Sequence, residues 1–301
     1  MDSSKLRVAV LRGGPSSEYD ISLKSGEQVL SHLRDMPEVY EPLDIFISRE
    51  GEWHRNGLVE EPHRALRHTD VVWNALHGSY GEDGQVQKLL TALHIPFTGS
   101  GTFALALSMD KDMTKRLYRQ HSLLTPAHTL ITQDNFDEGQ LVVIFRDYLH
   151  PVIVRPANTT GSLGVHLADT FYGLTQAVKE AFDYSPRVVV EESIKGNEVS
   201  CFVVEGAKGE EIYALLPICR LGHLNVEENK SVEEMAKKAH EILGLRHYSG
   251  SKFIITPRKK IYILETNSLP ALHEDSLVHS SLEATGWRHR DFIDHILKLA
   301  M

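Results

Sequence analysis

Four clusters in this sequence bring together residue types that could do chemistry. Glu265-Thr266-Asn267 sets a carboxylate and an amide at i and i+2, which on a strand places both on one face. Such oxygen donors suit Mg²⁺, usually bound beside substrate phosphates; an exposed strand face is the plainer alternative. Arg155-Pro156-Ala157-Asn158-Thr159-Thr160-Gly161-Ser162-Leu163-Gly164 is a cation at the end of an apolar run, followed by a small, hydroxyl-rich loop. Guanidinium, hydroxyls and backbone N–H groups together suit a polyphosphate. The segment is not a Walker sequence, and a surface hairpin explains the same composition.

Gly13-Gly14-Pro15-Ser16-Ser17-Glu18 follows an apolar run and could hold an anion or carboxylate on its N–H groups, or serve as a simple turn. It does not match the dinucleotide fingerprint G-x-G-x-x-G. Glu18 is an acid able to pair with an ammonium group. The fourth cluster, Asn74 to Gly84, gathers His77, Glu82 and Asp83 among glycines directly after an apolar run. Loops at strand C-termini are where open sheets place their function.

The elements that must position these clusters follow from the hydrophobic pattern. Leu6 to Leu11, Leu43 to Ser48 and Val71 to Leu76 read as strands, with a helix over Ser22 to Leu33. This alternation to about residue 100 predicts an open, mostly parallel sheet with its ligand site at the strand C-termini. A helix is expected over Leu105 to His121, with a domain boundary near 105 and a loop over Thr132 to Gly139. Further strands are expected at Pro151 to Pro156, Val188 to Glu192, Val199 to Val204, Phe253 to Ile255 and Ile261 to Leu264. Helices are expected at Val232 to Leu243 and after Arg290.

Composition limits the function classes. The chain has 301 residues, about two ordinary domains, with 42% hydrophobic and 24% charged residues, which is globular rather than disordered. Its 32 Lys+Arg against 41 Asp+Glu give a net charge of −9, which argues against a nucleic-acid partner. An anionic ligand needs a local positive site. Cys201 and Cys219 are too few for a disulfide framework and lack zinc spacing, and the 17 histidines include no i, i+4 pair with an added acid. The residues from Met1 to Leu11 lack the longer apolar core of a signal peptide, and no stretch is apolar for long enough to span a bilayer. A soluble, cytoplasmic protein without a membrane partner is expected.

In order along the chain, "VAVLRGGPSSEYDISLKSG" from Val8, "NALHGSYGEDGQVQ" from Asn74, "IPFTGSG" from Ile95, "MDKDMTK" from Met109, "PVIVRPANTTGSLGV" from Pro151, "EESIKGNEVS" from Glu191 and "LETNSLPALHEDSL" from Leu264 resemble the D-alanine:D-alanine ligase family of the ATP-grasp fold. The resemblance covers nearly the whole chain. It implies α/β and α+β architecture: an N-terminal open parallel-sheet (pre-ATP-grasp) domain over 1–105, a central ATP-grasp lid subdomain over 106–186, and a C-terminal ATP-grasp domain with the metal end over 187–301. It also implies a homodimer and a place in peptidoglycan precursor synthesis.

The implied reaction uses ATP to phosphorylate the carboxylate of one D-alanine, after which the amine of a second attacks the acyl phosphate. By the same resemblance Glu18 holds the first substrate's ammonium, with His77 nearby. Lys111 and Arg155 contact the ATP phosphates, and Gly161 and Ser162 belong to the lid over them. Glu191 and Ile194 resemble adenine contacts and Glu198 the ribose contact. Glu265 and Asn267 match two Mg²⁺ ligands, and Ser276 matches the hydroxyl that binds the second substrate's carboxylate.

The chain also departs from the family's pattern. Arg155 stands where the family usually has lysine, keeping the charge but changing its geometry. Tyr248 to Ile254 aligns without gaps to the family's Tyr-Ser-Arg-Val-Asp-Phe, so Gly250 replaces an oxyanion-stabilising arginine and Lys252 a metal-binding aspartate. Lysine has no acceptor for Mg²⁺. The connection from Arg220 to the helix near Ser231 is too short for the family's closing loop. Ala271 replaces a glycine whose N–H faces the oxyanion, although Ala271 keeps that N–H. These departures set two expectations against each other: a ligase in which Lys252 neutralises phosphate charge in place of one Mg²⁺, and a catalytically impaired paralogue that binds nucleotide or amino acid. A ligase for another amino or hydroxy acid is a third.

Overall fold

The computed structural model describes residues 5–301, and Met1 to Ser4 lie outside it. The strand Leu6–Gly13 (β1) is buried over Val8 to Leu11 and at Gly13, as expected of a parallel strand covered on both faces. It pairs in parallel with Tyr40–Ile47 (β2) on one side and Val71–Asn74 on the other, and the antiparallel hairpin Trp53–Arg55/Leu58–Glu60 extends the β2 edge. This is the expected open sheet. The first helix runs over Tyr19–Arg34, three residues earlier than the hydrophobic pattern suggests. Gly13 requires its left-handed backbone: φ is +91° and a Cβ there would stand 2.2 Å from the Ile47 carbonyl oxygen. Ser22 Oγ ties the turn down, accepting from Gly13 N and donating to the Ala75 carbonyl, both at 2.8 Å.

The helix expected over Leu105 to His121 is two helices, Thr102–Met109 and Lys111–Gln120. Asp110 breaks it: its backbone is extended (φ −80°, ψ 102°), and its carboxylate accepts from Met113 N at 3.1 Å as an N-cap. The break swings Lys111 to the start of a new helix, where its N–H donates to the Ala157 carbonyl at 3.0 Å.

A four-stranded antiparallel sheet follows, in the order His128–Thr132, Arg187–Glu192, Val152–Pro156, His166–Ala168. It has its own core of Val152, Val154, Leu174, Val178, Val188 and Val190. The last sheet is also antiparallel: Asn197–Glu205 and Tyr248–Ile255 pair at its centre, flanked by Ile212–Ala214 with Ile218–Cys219 and by Ile261–Asn267. The helix expected from Val232 begins at Val226, because Asn225 and Glu228 form a reciprocal capping box. One core joins the two ends of the chain, with Val10, Trp73 and Val71 packing among Phe202, Tyr248, Phe292 and Ile296. Among the described residues no helix is long and apolar enough to cross a membrane.

Candidate active site

A cavity of about 600 Å³ opens where the three sheets meet, within the size range of small-molecule sites. Glu18, at the start of the first helix, and Glu82, in the short helix Ser79–Glu82, line it from the N-terminal part of the chain, and Lys111 from the helix break. The Thr159–Gly164 loop closes one side, and Lys252 and Glu265 to Ser268 come from the two last long strands. The four sequence clusters, some of them far apart in the chain, thus meet in one place.

Glu265 and Asn267 lie on the strand Ile261–Asn267 and border the cavity, with buried Thr266 between them. Both Glu265 oxygens are engaged by cations: Oε1 accepts from Lys252 Nζ at 2.8 Å and Oε2 from Arg155 Nη1 at 3.2 Å. Burial alone would raise the Glu265 pKa, but Lys252 and Arg155 overcome it and hold it at about 2. Arg155 also pairs with Glu191 at 3.3 Å, and Glu191 in turn with Lys115 Nζ at 2.8 Å. Against the effect of burial, Lys115 and Arg155 keep Glu191 below the usual carboxylate range.

Lys111 donates its ammonium to the Thr159 carbonyl, so one cation grips the loop that bounds the cavity. Burial, reinforced by Arg155, pushes Lys111 down to about 8. The loop reaches Glu18: a Cβ on Gly161, whose φ is +65°, would stand 3.4 Å from Glu18 Oε1. Glu82 is buried and accepts from Gly78 N at 2.9 Å, and loss of solvation pushes its carboxyl up to about 8.

Other expected site residues are not among those lining the cavity. His77 is buried and driven down to about 4; it shares a 2.9 Å hydrogen bond with Ser25, whose hydroxyl also accepts from Leu272 N at 3.2 Å. It therefore reaches the turn holding Ala271 through Ser25. Ser276 caps the helix Leu277–Ala284, its hydroxyl accepting from His279 N at 3.2 Å. Ile194 lies in the connection between the strands Arg187–Glu192 and Asn197–Glu205. Glu198 is exposed and paired to Arg220 at 2.8 Å. Gly250 sits on the central strand, flanked by Phe202 and Pro270.

Residue-level reading of the sequence did not single out Lys115 or Ser25. Lys115 had a signal: it lies four residues after Lys111, on the same face of one helix. Ser25 had none, since its role depends on two loops distant in sequence.

The metal implied by the resemblance finds a small donor set. One carboxylate and one amide suit a single Mg²⁺ shared with phosphate oxygens. Among the described residues, no group of three or more His, Cys, Asp or Glu could hold a metal ion. The residues offer at most one ion's worth of donors, and both Glu265 oxygens are already engaged by Lys252 and Arg155.

The profile of the D-ala D-ala ligase N-terminus matches residues 7–64 and 56–100, and that of the D-ala D-ala ligase C-terminus matches 117–219 and 217–298. The chain belongs to the D-alanine–D-alanine ligase family. D-alanine–D-alanine ligase B of Chromobacterium violaceum is 34% identical over 315 residues, covering 97% of this chain and 96% of its own. The D-alanine–D-alanine ligase structure from Coxiella burnetii superposes with a TM-score of 0.88 at 25% identity, covering 98% of this chain and 95% of its own. The Bacillus anthracis ligase complexed with ATP superposes with a TM-score of 0.81 at 25% identity, covering 98% and 96%. The fold is that of this ATP-grasp ligase family, as the sequence motifs implied.

Proposed function

We propose that this chain is an ATP-dependent ligase that joins two D-alanines. The observation that carries this reading is the convergence of Glu18, at the start of the first helix, with Lys111, Lys252 and Glu265 on one cavity. An acid for a substrate ammonium thus stands across from cations for phosphate. A carboxylate oxygen of the first D-alanine attacks the γ-phosphorus of ATP, giving an acyl phosphate and ADP. The amine of the second D-alanine then attacks the acyl carbon, phosphate leaves with the C–O bonding pair, and the amine loses a proton.

In this reading each expected site residue takes one role. Glu18 pairs with the first substrate's ammonium, and Lys111 and Arg155 neutralise phosphate charge. Gly161 and Ser162 cover the reacting groups, which strengthens electrostatic positioning by excluding water. The Ala271 N–H faces the developing oxyanion, held in place by the His77–Ser25–Leu272 contacts. Ser276 receives the second carboxylate at a helix N-terminus, which favours an anion. Ile194, Glu191 and Glu198 frame the nucleoside end. A Mg²⁺ held by Glu265 and Asn267 would offset charge on the phosphates.

The same proposal includes a homodimer and a role in peptidoglycan precursor synthesis, with the lid taken to run past 186 to Glu192, because the strand Arg187–Glu192 pairs inside the central sheet. We place the reaction in the cytoplasm, where ATP is made; the two free cysteines accord with a reducing compartment. Trapping with hydroxylamine tests the first step: incubation with ATP and D-alanine should yield D-alanine hydroxamate. Its absence, with ATP bound, would remove the acyl phosphate from this reading.

A further inference from the structure

Lys252 is out of place in its strand. Every other residue of Tyr248–Ile255 is buried, whereas the Lys252 side chain is 58% exposed and borders the cavity. It stands directly opposite Glu265 in the strand register, and the pairing shifts immediately after it, between Lys252 and Phe253. Its ammonium lies 2.8 Å from Glu265 Oε1, while Arg155 holds the other oxygen. The carboxylate best placed to hold a metal is thus neutralised before any ligand arrives. To bind a divalent ion through both oxygens, Glu265 would have to give up both cations.

We propose that Lys252 is a nucleotide-phosphate ligand whose ammonium stands in for a divalent cation, so that this chain binds ATP with little dependence on Mg²⁺. The proposal rests on the nucleotide reading of the cavity. A lysine ammonium is a compact point charge on a flexible stem and a common phosphate binder. Resting on Glu265, it is close to the other phosphate-directed cations, Lys111 and Arg155, and can swing to an incoming polyphosphate without backbone movement. The small donor set follows: with one positive charge supplied covalently, the site needs fewer acids to recruit metal.

Calorimetry of ATP binding, with EDTA and with Mg²⁺, tests this without relying on turnover. The full-length protein should bind ATP in EDTA within about threefold of its affinity in Mg²⁺. Lys252→Gln should weaken binding in EDTA by about tenfold or more, and Lys252→Arg should retain most of it. Lys252→Asp should lose binding in EDTA and regain it with Mg²⁺. Because Lys252 is exposed, these variants should fold, which circular dichroism checks. Binding of the unaltered protein only with Mg²⁺, or unchanged EDTA binding in Lys252→Gln, would overturn the role of Lys252 and leave the nucleotide reading intact. Absence of ATP binding under both conditions would overturn the nucleotide reading, and this proposal with it.

Discussion

The ring of Phe202 fills the space beside Gly250. A Cβ built on Gly250 would stand 2.5 Å from both Cδ1 and Cε1 of Phe202 and 3.2 Å from Pro270 Cγ, so the two positions, paired across neighbouring strands, are complementary in volume. The position where the family resemblance places an arginine is therefore closed by an aromatic side chain, and the change from arginine is coupled to a second residue.

Restoring that arginine alone should fail. Gly250→Arg should lower stability by about 1–3 kcal/mol through overpacking, and adding Phe202→Ala should recover part of the loss, so the two changes are non-additive. A double-mutant cycle by urea denaturation checks this; strict additivity would mean that Phe202 does not occupy the space.

The buried pair Lys115–Glu191 should be costly to break. Lys115→Met leaves a buried carboxylate with Arg155 as its remaining cation partner, and a loss of about 3 kcal/mol or more is expected. The paired change Lys115→Met with Glu191→Gln should cost less than Lys115→Met alone, measured by the same denaturation. Such a result would show that Glu191 serves the structure beneath Arg155 as well as any nucleoside contact.

Glu82 gives the protein a pH dependence of known sign. Its native pKa of about 8 lies above the ordinary 4.5, so across that window the unfolded chain has released a proton that the folded protein keeps. Stability from this group is complete below the lower value and is lost as pH rises through the higher one. Relative to Glu82→Gln, the unaltered protein should therefore lose roughly a few degrees of Tm or more between pH 5 and pH 8. A flat difference between the two melting curves would show that Glu82 is ionised at neutral pH.

Glu18 should act chiefly on the first substrate. Glu18→Gln should raise the apparent KM for D-alanine by about 10-fold or more, the scale of a lost charge-assisted hydrogen bond, with a smaller effect on the KM for ATP. Initial rates with each substrate varied in turn separate these. An equal rise in both would indicate that the change acts through the Gly161 loop resting against Glu18.

Much of the fold could be read because it rests on local patterns. The apolar run Leu6 to Leu11 and the glycine turn after it predict a parallel strand and its exit, and both are present. The break at Asp110 was missed because the apolar and helix-forming residues continue through it; only the capping carboxylate marks the stop. The start of the helix at Val226 was missed for the opposite reason: its first turns are polar and exposed, and a capping box rather than an apolar face defines them.

The site divides along the same line. Glu265 and Asn267 could be read from strand alternation, and Arg155 and the Thr159–Gly164 loop from charge next to small residues, whereas Lys111 came from the family resemblance. The cationic embrace of Glu265 by Lys252 and Arg155 could not, because it depends on strand register and on a contact 110 residues apart. The placing of Ser276 and Glu198 came from resemblance alone; the structure adds a helix cap to the first and an exposed ion pair to the second.

The most direct test of the ligase reading is to measure ADP, phosphate and dipeptide together as D-alanine is added to the protein and ATP. The expected result is D-alanine-dependent turnover with one ADP, one phosphate and one D-alanyl-D-alanine formed per cycle, and no comparable turnover with L-alanine. Tight ATP binding without any D-alanine-dependent ADP or dipeptide would contradict it.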